Sequence, residues 1–188
     1  MRAIRHFLTS GTVALLLASA VAAQGKPSAK PAPEIGTMVG VTIVSQSGFS
    51  TSTHVGVPGG IGPVSTFSPM LYGTFFASPS VMVEPQVAFS TTSGGGESAT
   101  FFTFVGQIGY LFTPSTSGSG YVAANGAFQT ANAGGGTVSG PGFGAALGYR
   151  FKVKSSLAIR LDGRYRRWFS DFKDVNEIGF GLGLGALF

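Results

Sequence analysis

Apolar side chains recur at every second position in eight stretches of this 188-residue chain, most regularly at its end. From Ile178 to Phe188 the residues Ile178, Phe180, Leu182, Leu184, Ala186 and Phe188 share one parity, and Gly179, Gly181, Gly183 and Gly185 share the other. Strand side chains alternate with period two, so this is a strand with one greasy face and one bare face. The same reading, bounded by Gly, Pro, Ser and Thr clusters, predicts strands over about 36–45, 67–77, 80–90, 99–112, 120–130, 142–153, 156–169 and 177–188. Each is close to the roughly 9 to 11 residues that cross a bilayer when tilted.

The predicted connections alternate in length. Long links fall at 46–66, 91–98, 131–141 and 170–176, and short ones around Ser78, at 113–119 and at 154–155. Short periplasmic turns opposite longer external loops are the membrane-barrel arrangement, and with both termini in the periplasm all four long links face outward.

Parity then assigns the two faces. In the seventh segment Leu157, Ile159, Leu161 and Tyr165 oppose Ala158, Arg160, Asp162, Arg164 and Arg166. In the sixth, Phe143, Ala145, Leu147, Tyr149 and Phe151 oppose Gly144, Ala146, Gly148, Arg150 and Lys152. A cation facing lipid at mid-bilayer costs roughly 2 to 4 kcal/mol, so the charged parity must face the lumen. A soluble ligand-binding barrel would reverse the faces and wet its charges. Aromatic residues gather at the strand ends, at Tyr110 and Phe112, Tyr149 and Phe151, and Tyr165 with Trp168 and Phe169, although Trp168 has lumen parity unless a bulge shifts it.

Composition agrees with a chain poor in water-facing surface: 44% hydrophobic, 10% charged and 30 glycines, against about 25% charged in an ordinary soluble domain. Arg2, Arg5 and His6 precede an apolar run ending in small residues at Ala18, Ala20, Ala22 and Ala23, the layout of a secretory signal peptide. The expected organisation is therefore a signal peptide over 1–23, a Pro/Ala/Lys-rich periplasmic leader over 24–35 and a barrel over 36–188. Loss of Arg2 and Arg5 lowers the formal charge from +5 to +3, and an exported chain is not expected to meet nucleic acid. With no cysteine, disulfides and thiolate metal sites are excluded.

The segments GAALGYRF (Gly144 to Phe151), LAIRLDGRYRRW (Leu157 to Trp168) and the terminal GFGLGLGALF carry a resemblance to the small OmpA/OmpX-type outer-membrane β-barrel domain, over about Gly36 to Phe188. The fold class expected is all-β, an eight-stranded antiparallel up-and-down transmembrane barrel in the bacterial outer membrane. The resemblance implies that the terminal Phe188 is the signal read by the barrel-assembly machinery. It also implies a monomer whose partners are outer-membrane lipid and lipopolysaccharide. Its functions are diverse, spanning adhesion, envelope stabilisation, small pores and lipid-modifying enzymes.

The candidate functional residues are the lumen-parity charges Glu84, Arg150, Arg160, Asp162, Arg164, Arg166 and Glu177. An eight-stranded barrel is just wide enough to be filled by side chains, so these charges are expected to pair into a structural plug. The expected role is structural or surface-interacting. Alternatives are a narrow, weakly anion-preferring pore, since arginines outnumber acids in this set, a lipid-modifying enzyme, and a soluble periplasmic ligand-binding barrel. No catalytic, cofactor or metal residue is assigned: once the signal peptide leaves, His54 is the one imidazole, set among Ser50, Ser52 and Thr53 with no orienting acid. Asp171, Asp174 and Glu177 have oxygen donors of the kind calcium takes, but read as solvated loop acids. Gly94–Gly96, Gly134–Gly136 and Gly140, Gly142 and Gly144 read as flexible external loop tips, and Arg167 as a rim contact for lipid phosphate.

Overall fold

A computed structural model describes residues 30–46, 51–56, 70–94, 97–112, 115, 117–173 and 175–188. The expected signal peptide, the first part of the leader and most of the first long link lie outside these residues. Among the described residues nine strands follow one another: β1 (Glu34–Gln46), β2 (Ser52–Gly56), β3 (Met70–Ser78), β4 (Val81–Gly94), β5 (Glu97–Phe112), β6 (Gly118–Ala133), β7 (Gly136–Lys154), β8 (Leu157–Trp168) and β9 (Val175–Leu187). A one-turn 3-10 helix, η1 (Ser170–Phe172), joins the last two.

All neighbouring strands are antiparallel in the order β1-β3-β4-β5-β6-β7-β8-β9, and pairing of β1 with β9 closes an eight-stranded barrel. The closing seam is continuous from Glu34 opposite Leu187 to Gln46 opposite Val175. Strand β2 is an addition: it pairs with Gly40–Val44 on the edge of β1 whose other half, Glu34–Met38, pairs with β3. The wall beside β1 is thus built from two pieces. We refer to the end where β1 begins and β9 finishes as the terminal end and the opposite end as the distal end.

Burial follows the parity along the strands wherever it is described, except at the two ends of β7, where 136–138 and 151–154 are all exposed. Phe102, Phe104 and Ile108 point outward from β5, whereas Thr103, Val105 and Gln107 are buried. On β9 the apolar parity is exposed, while Gly179, Gly181, Gly183 and Gly185 face inward. A soluble ligand-binding barrel, with an apolar interior and polar exterior, is therefore excluded: the polar side chains are inside and the outer wall is Phe, Leu, Ile and Val.

Two expectations are corrected. Within the long links at 91–98 and 131–141, residues 91–94, 97–98, 131–133 and 136–141 are strand: β4 and β5 stay in register to Gly94 opposite Glu97, and β6 and β7 to Ala133 opposite Gly136. Gly140, Gly142 and Gly144 lie within β7, and Gly134 and Gly135 form a two-residue turn at φ 55° and 79°, the left-handed values that hairpin turns of this length need. The ladder outlasts the alternation because strand pairing uses backbone groups alone, and beyond the apolar band neither face must be greasy. The barrel also begins earlier than expected, at Glu34.

Candidate functional site

Strand β8 is the spine of the interior. Its period-two parity stacks Arg160, Asp162, Arg164, Arg166 and Trp168 on one buried face, about 6 to 7 Å apart along the strand. Trp168 is fully buried without any bulge, so it belongs to the lumen and not to an outer aromatic girdle.

Each charge meets partners from other strands. At the terminal end Glu34 of β1 accepts hydrogen bonds from the Tyr72 hydroxyl and from Arg150 Nε, and Arg150 Nη2 donates to the Ala32 carbonyl at 3.0 Å. Next, the Arg160 guanidinium lies between the rings of Tyr72 and Tyr121, 5.3 and 4.6 Å from their centroids. It donates to Glu84, to the Tyr121 hydroxyl at 2.8 Å and to Asp162 at 3.2 Å. Glu84 also accepts from the Thr74 hydroxyl and from Gln86 Nε2 at 2.6 Å. The Tyr121 hydroxyl donates to Asp162.

Further along, Arg164 donates to Asp162 at 3.1 Å and to Gln86 at 3.2 Å, and also lies 3.3 and 3.7 Å from the sulfurs of Met38 and Met70. Arg166 donates to Asn125 at 3.1 Å and pairs with Glu177 at 3.5 Å, which in turn accepts from Trp168 Nε1 at 2.9 Å. An unpartnered buried charge costs several kcal/mol, which these reciprocal contacts avoid.

The inward glycines supply the room. A Cβ on Gly185 would sit 2.1 Å from the Glu34 carboxylate, one on Gly148 2.4 Å from the Tyr121 hydroxyl, and one on Gly179 3.0 Å from Arg164 Cγ. The glycine parity of the last strand is thus the complement of the large side chains opposite.

Sequence reasoning missed Glu34, which it left in the leader, and with it the charge balance. Counting it, Glu34, Glu84, Asp162 and Glu177 face Arg150, Arg160, Arg164 and Arg166, four acids against four arginines. The arginine excess behind the anion-preferring reading does not exist. Tyr72 and Tyr121 were missed too; both have lumen parity, and that was the available signal.

Above the charges an apolar cluster fills the distal mouth, with Val44, Met70, Val105, Ala127, Ala131, Trp168, Phe172 and Val175 among its members. After Trp168 the chain turns inward at Ser170, which takes a left-handed φ of 61°, and η1 sets Phe172 edge-on to Trp168 at 5.9 Å. Two bonds fasten this strap to β7: the Ser139 amide donates to the Asp171 carboxylate at 2.8 Å, and the Phe169 amide to the Pro141 carbonyl at 2.9 Å.

The acids weighed for calcium do not converge, since Asp171 caps β7 while Glu177 is buried in the lumen and Asp174 lies outside the described residues. Among the described residues no group of three or more His, Cys, Asp or Glu is placed to hold a metal. His54 lies in β2 opposite Thr42. Arg167 is exposed on the outward parity near the distal end.

An inside-polar, outside-apolar antiparallel barrel of eight strands is the fold of the small outer-membrane barrels. Solved structures of that class are similar to this chain: the Neisserial surface protein NspA (TM-score 0.61, 13% identity, 83% of this chain and 97% of that one) and OprG from Pseudomonas aeruginosa (0.55, 10%, 87% and 99%). Ail, the attachment invasion locus protein of Yersinia pestis, is similar too, with a TM-score of 0.52 at 15% identity over 85% of this chain and 100% of that one. No protein-family model and no curated protein matches the chain.

Proposed function

We propose that this chain is a bacterial outer-membrane barrel with a structural or surface-interacting role, its lumen closed to ion flow. The observation that carries the reading is the interior itself, four acids and four arginines joined in three ion-paired groups beneath an apolar cap. A permeant ion would have to displace these pairs and then cross Trp168 and Phe172. Surface presentation is supported by the distal extensions of β4 to β7, whose outward positions change from Phe89, Phe102 and Phe128 to Thr91, Thr100, Thr130 and Asn132. NspA and Ail, both named for surface or attachment roles, agree with this placement. The partners of this reading are outer-membrane lipid and lipopolysaccharide, with the assembly machinery engaging Phe188. The protein acts as a monomer without catalytic chemistry.

The test is planar-bilayer recording on the mature protein. A flat current at all voltages is expected, and unitary steps would overturn the closed-lumen reading. A narrow pore is the second reading, favoured by one observation: Gln107 Nε2 and Glu177 Oε1 are buried without a hydrogen-bond partner among the described residues, and buried polar atoms of this kind are commonly served by water.

A further inference from the structure

The seven acidic residues are unevenly placed. Four lie in the lumen, Glu97 begins β5 at the distal end, Asp171 lies in η1 at the same end, and Asp174 is outside the described residues. The lysines are placed the opposite way: Lys30, Lys152 and Lys154 are exposed at the terminal end, and of the described lysines only Lys173 is distal. Among the described residues Glu34 is the one acidic side chain near that rim, and it is buried against Arg150.

One arginine gathers the three lysines. Arg150 holds the leader by the Ala32 carbonyl and by Glu34, so Lys30, two residues before Ala32, and Lys152, two residues after Arg150, share one sector of the rim. The β7–β8 turn adds Lys154 beside them.

The height of these lysines is set by the wall. On β7 the outward residues run Phe143, Ala145, Leu147, Tyr149, Phe151 and Val153, the last 51% exposed. Ten residues at about 3.3 Å each, tilted by about 40°, rise about 25 Å, the height of the apolar band of an outer-membrane barrel. Val153 is therefore the lowest rung of the greasy wall, and there the lumen parity that Lys152 shares with Arg150 lapses: residues 151–154 are all exposed and the pairing with β8 shifts register between Lys152 and Lys154, so both lysines lie at the open rim at the level of lipid headgroups. The contacting rings of Tyr149 and Phe151, 4.4 Å apart, mark the same boundary. Lysine stems can lie along that apolar edge with their ammonium groups in the phosphate layer.

We propose that Lys30, Lys152 and Lys154 form a binding surface for the phosphate headgroups of anionic phospholipids in the periplasmic leaflet. The proposal rests on the membrane-barrel reading above. Anionic cell-wall polymer is the less suitable partner, because the lysines flank the last lipid-facing rung and do not project from a separate aqueous domain.

The test uses the mature full-length protein reconstituted in mixed phosphatidylcholine and phosphatidylglycerol vesicles, with bound lipid read by native mass spectrometry. Phosphatidylglycerol should be enriched over its bulk fraction at low ionic strength, and K152Q/K154Q should lose at least about fivefold of that enrichment while K173Q keeps it. Equal enrichment in wild type and K152Q/K154Q, or none in either, overturns the proposal. So does lysine-dependent binding to purified peptidoglycan without any lipid preference. Heat-modifiable migration on SDS gels is scored on the same samples: a barrel that shifts but shows no lipid preference sinks only this proposal, whereas a chain that neither inserts nor shifts sinks the membrane reading beneath it.

Discussion

Glu84 shows how much a single side chain governs in this interior. It is fully buried and joined to Arg160, Thr74 and Gln86, so Glu84→Ala leaves a buried guanidinium without its principal counter-charge. Loss of one partner of a buried pair costs about 3–5 kcal/mol. The urea midpoint of the refolded protein should fall accordingly, and the double variant E84A/R160M should recover most of the loss; equal midpoints for wild type and E84A would contradict the pairing. Glycines divide by the same logic. Gly185→Val drives a side chain into the Glu34 carboxylate and should abolish the heat-modifiable form, whereas Gly106, with open space around its missing Cβ, should accept alanine without loss.

Among elements, the strap and the β6–β7 hairpin are the ones held by local geometry. Gly134 and Gly135 sit in left-handed backbone, so replacing both by alanine should cost about 1–2 kcal/mol each, read as a lowered unfolding midpoint with native gel migration retained. In the strap, Phe172→Ala removes the aromatic anchor on Trp168. Hydrogen exchange should then rise over 169–173 while the amides of β8 and β9 stay protected; unchanged exchange would show that the two bonds to β7 suffice. These elements also mark where sequence reading stopped. The strands and faces of the barrel were legible because lipid on one side and packed charges on the other impose alternation on residues such as Leu157 to Arg166. Outside the apolar band that constraint ends, so Thr91, Thr92 and Asn132 read as loop although their backbones are paired. Glu34 was hidden for a related reason: it follows a Pro-rich leader and carries the strand's first inward position with only Ile35 beside it to show a period.

For the whole molecule, the distribution of charge among the described residues separates three compartments: a neutral lumen, a cationic terminal rim and a distal end that carries Glu97 and Asp171. Glu34 links the first two. Glu34→Gln weakens the hold of Arg150 on the leader, so proteinase K should trim the leader several-fold faster in vesicles while the barrel core stays resistant; an unchanged rate would show that the Ala32 bond alone pins the leader. The position of that glutamate in the chain has a further effect. Its carboxylate is supplied by the first residue of β1, its guanidinium partner by β7, and the neighbouring Arg160 and Asp162 by β8, so the network is incomplete until β1 has docked against β9. An open sheet would carry unmatched arginines on the face about to be enclosed. Neutralising the interior and joining the two ends of the sheet are therefore one event, and a chain whose ends have paired out of register announces the error as uncompensated charge.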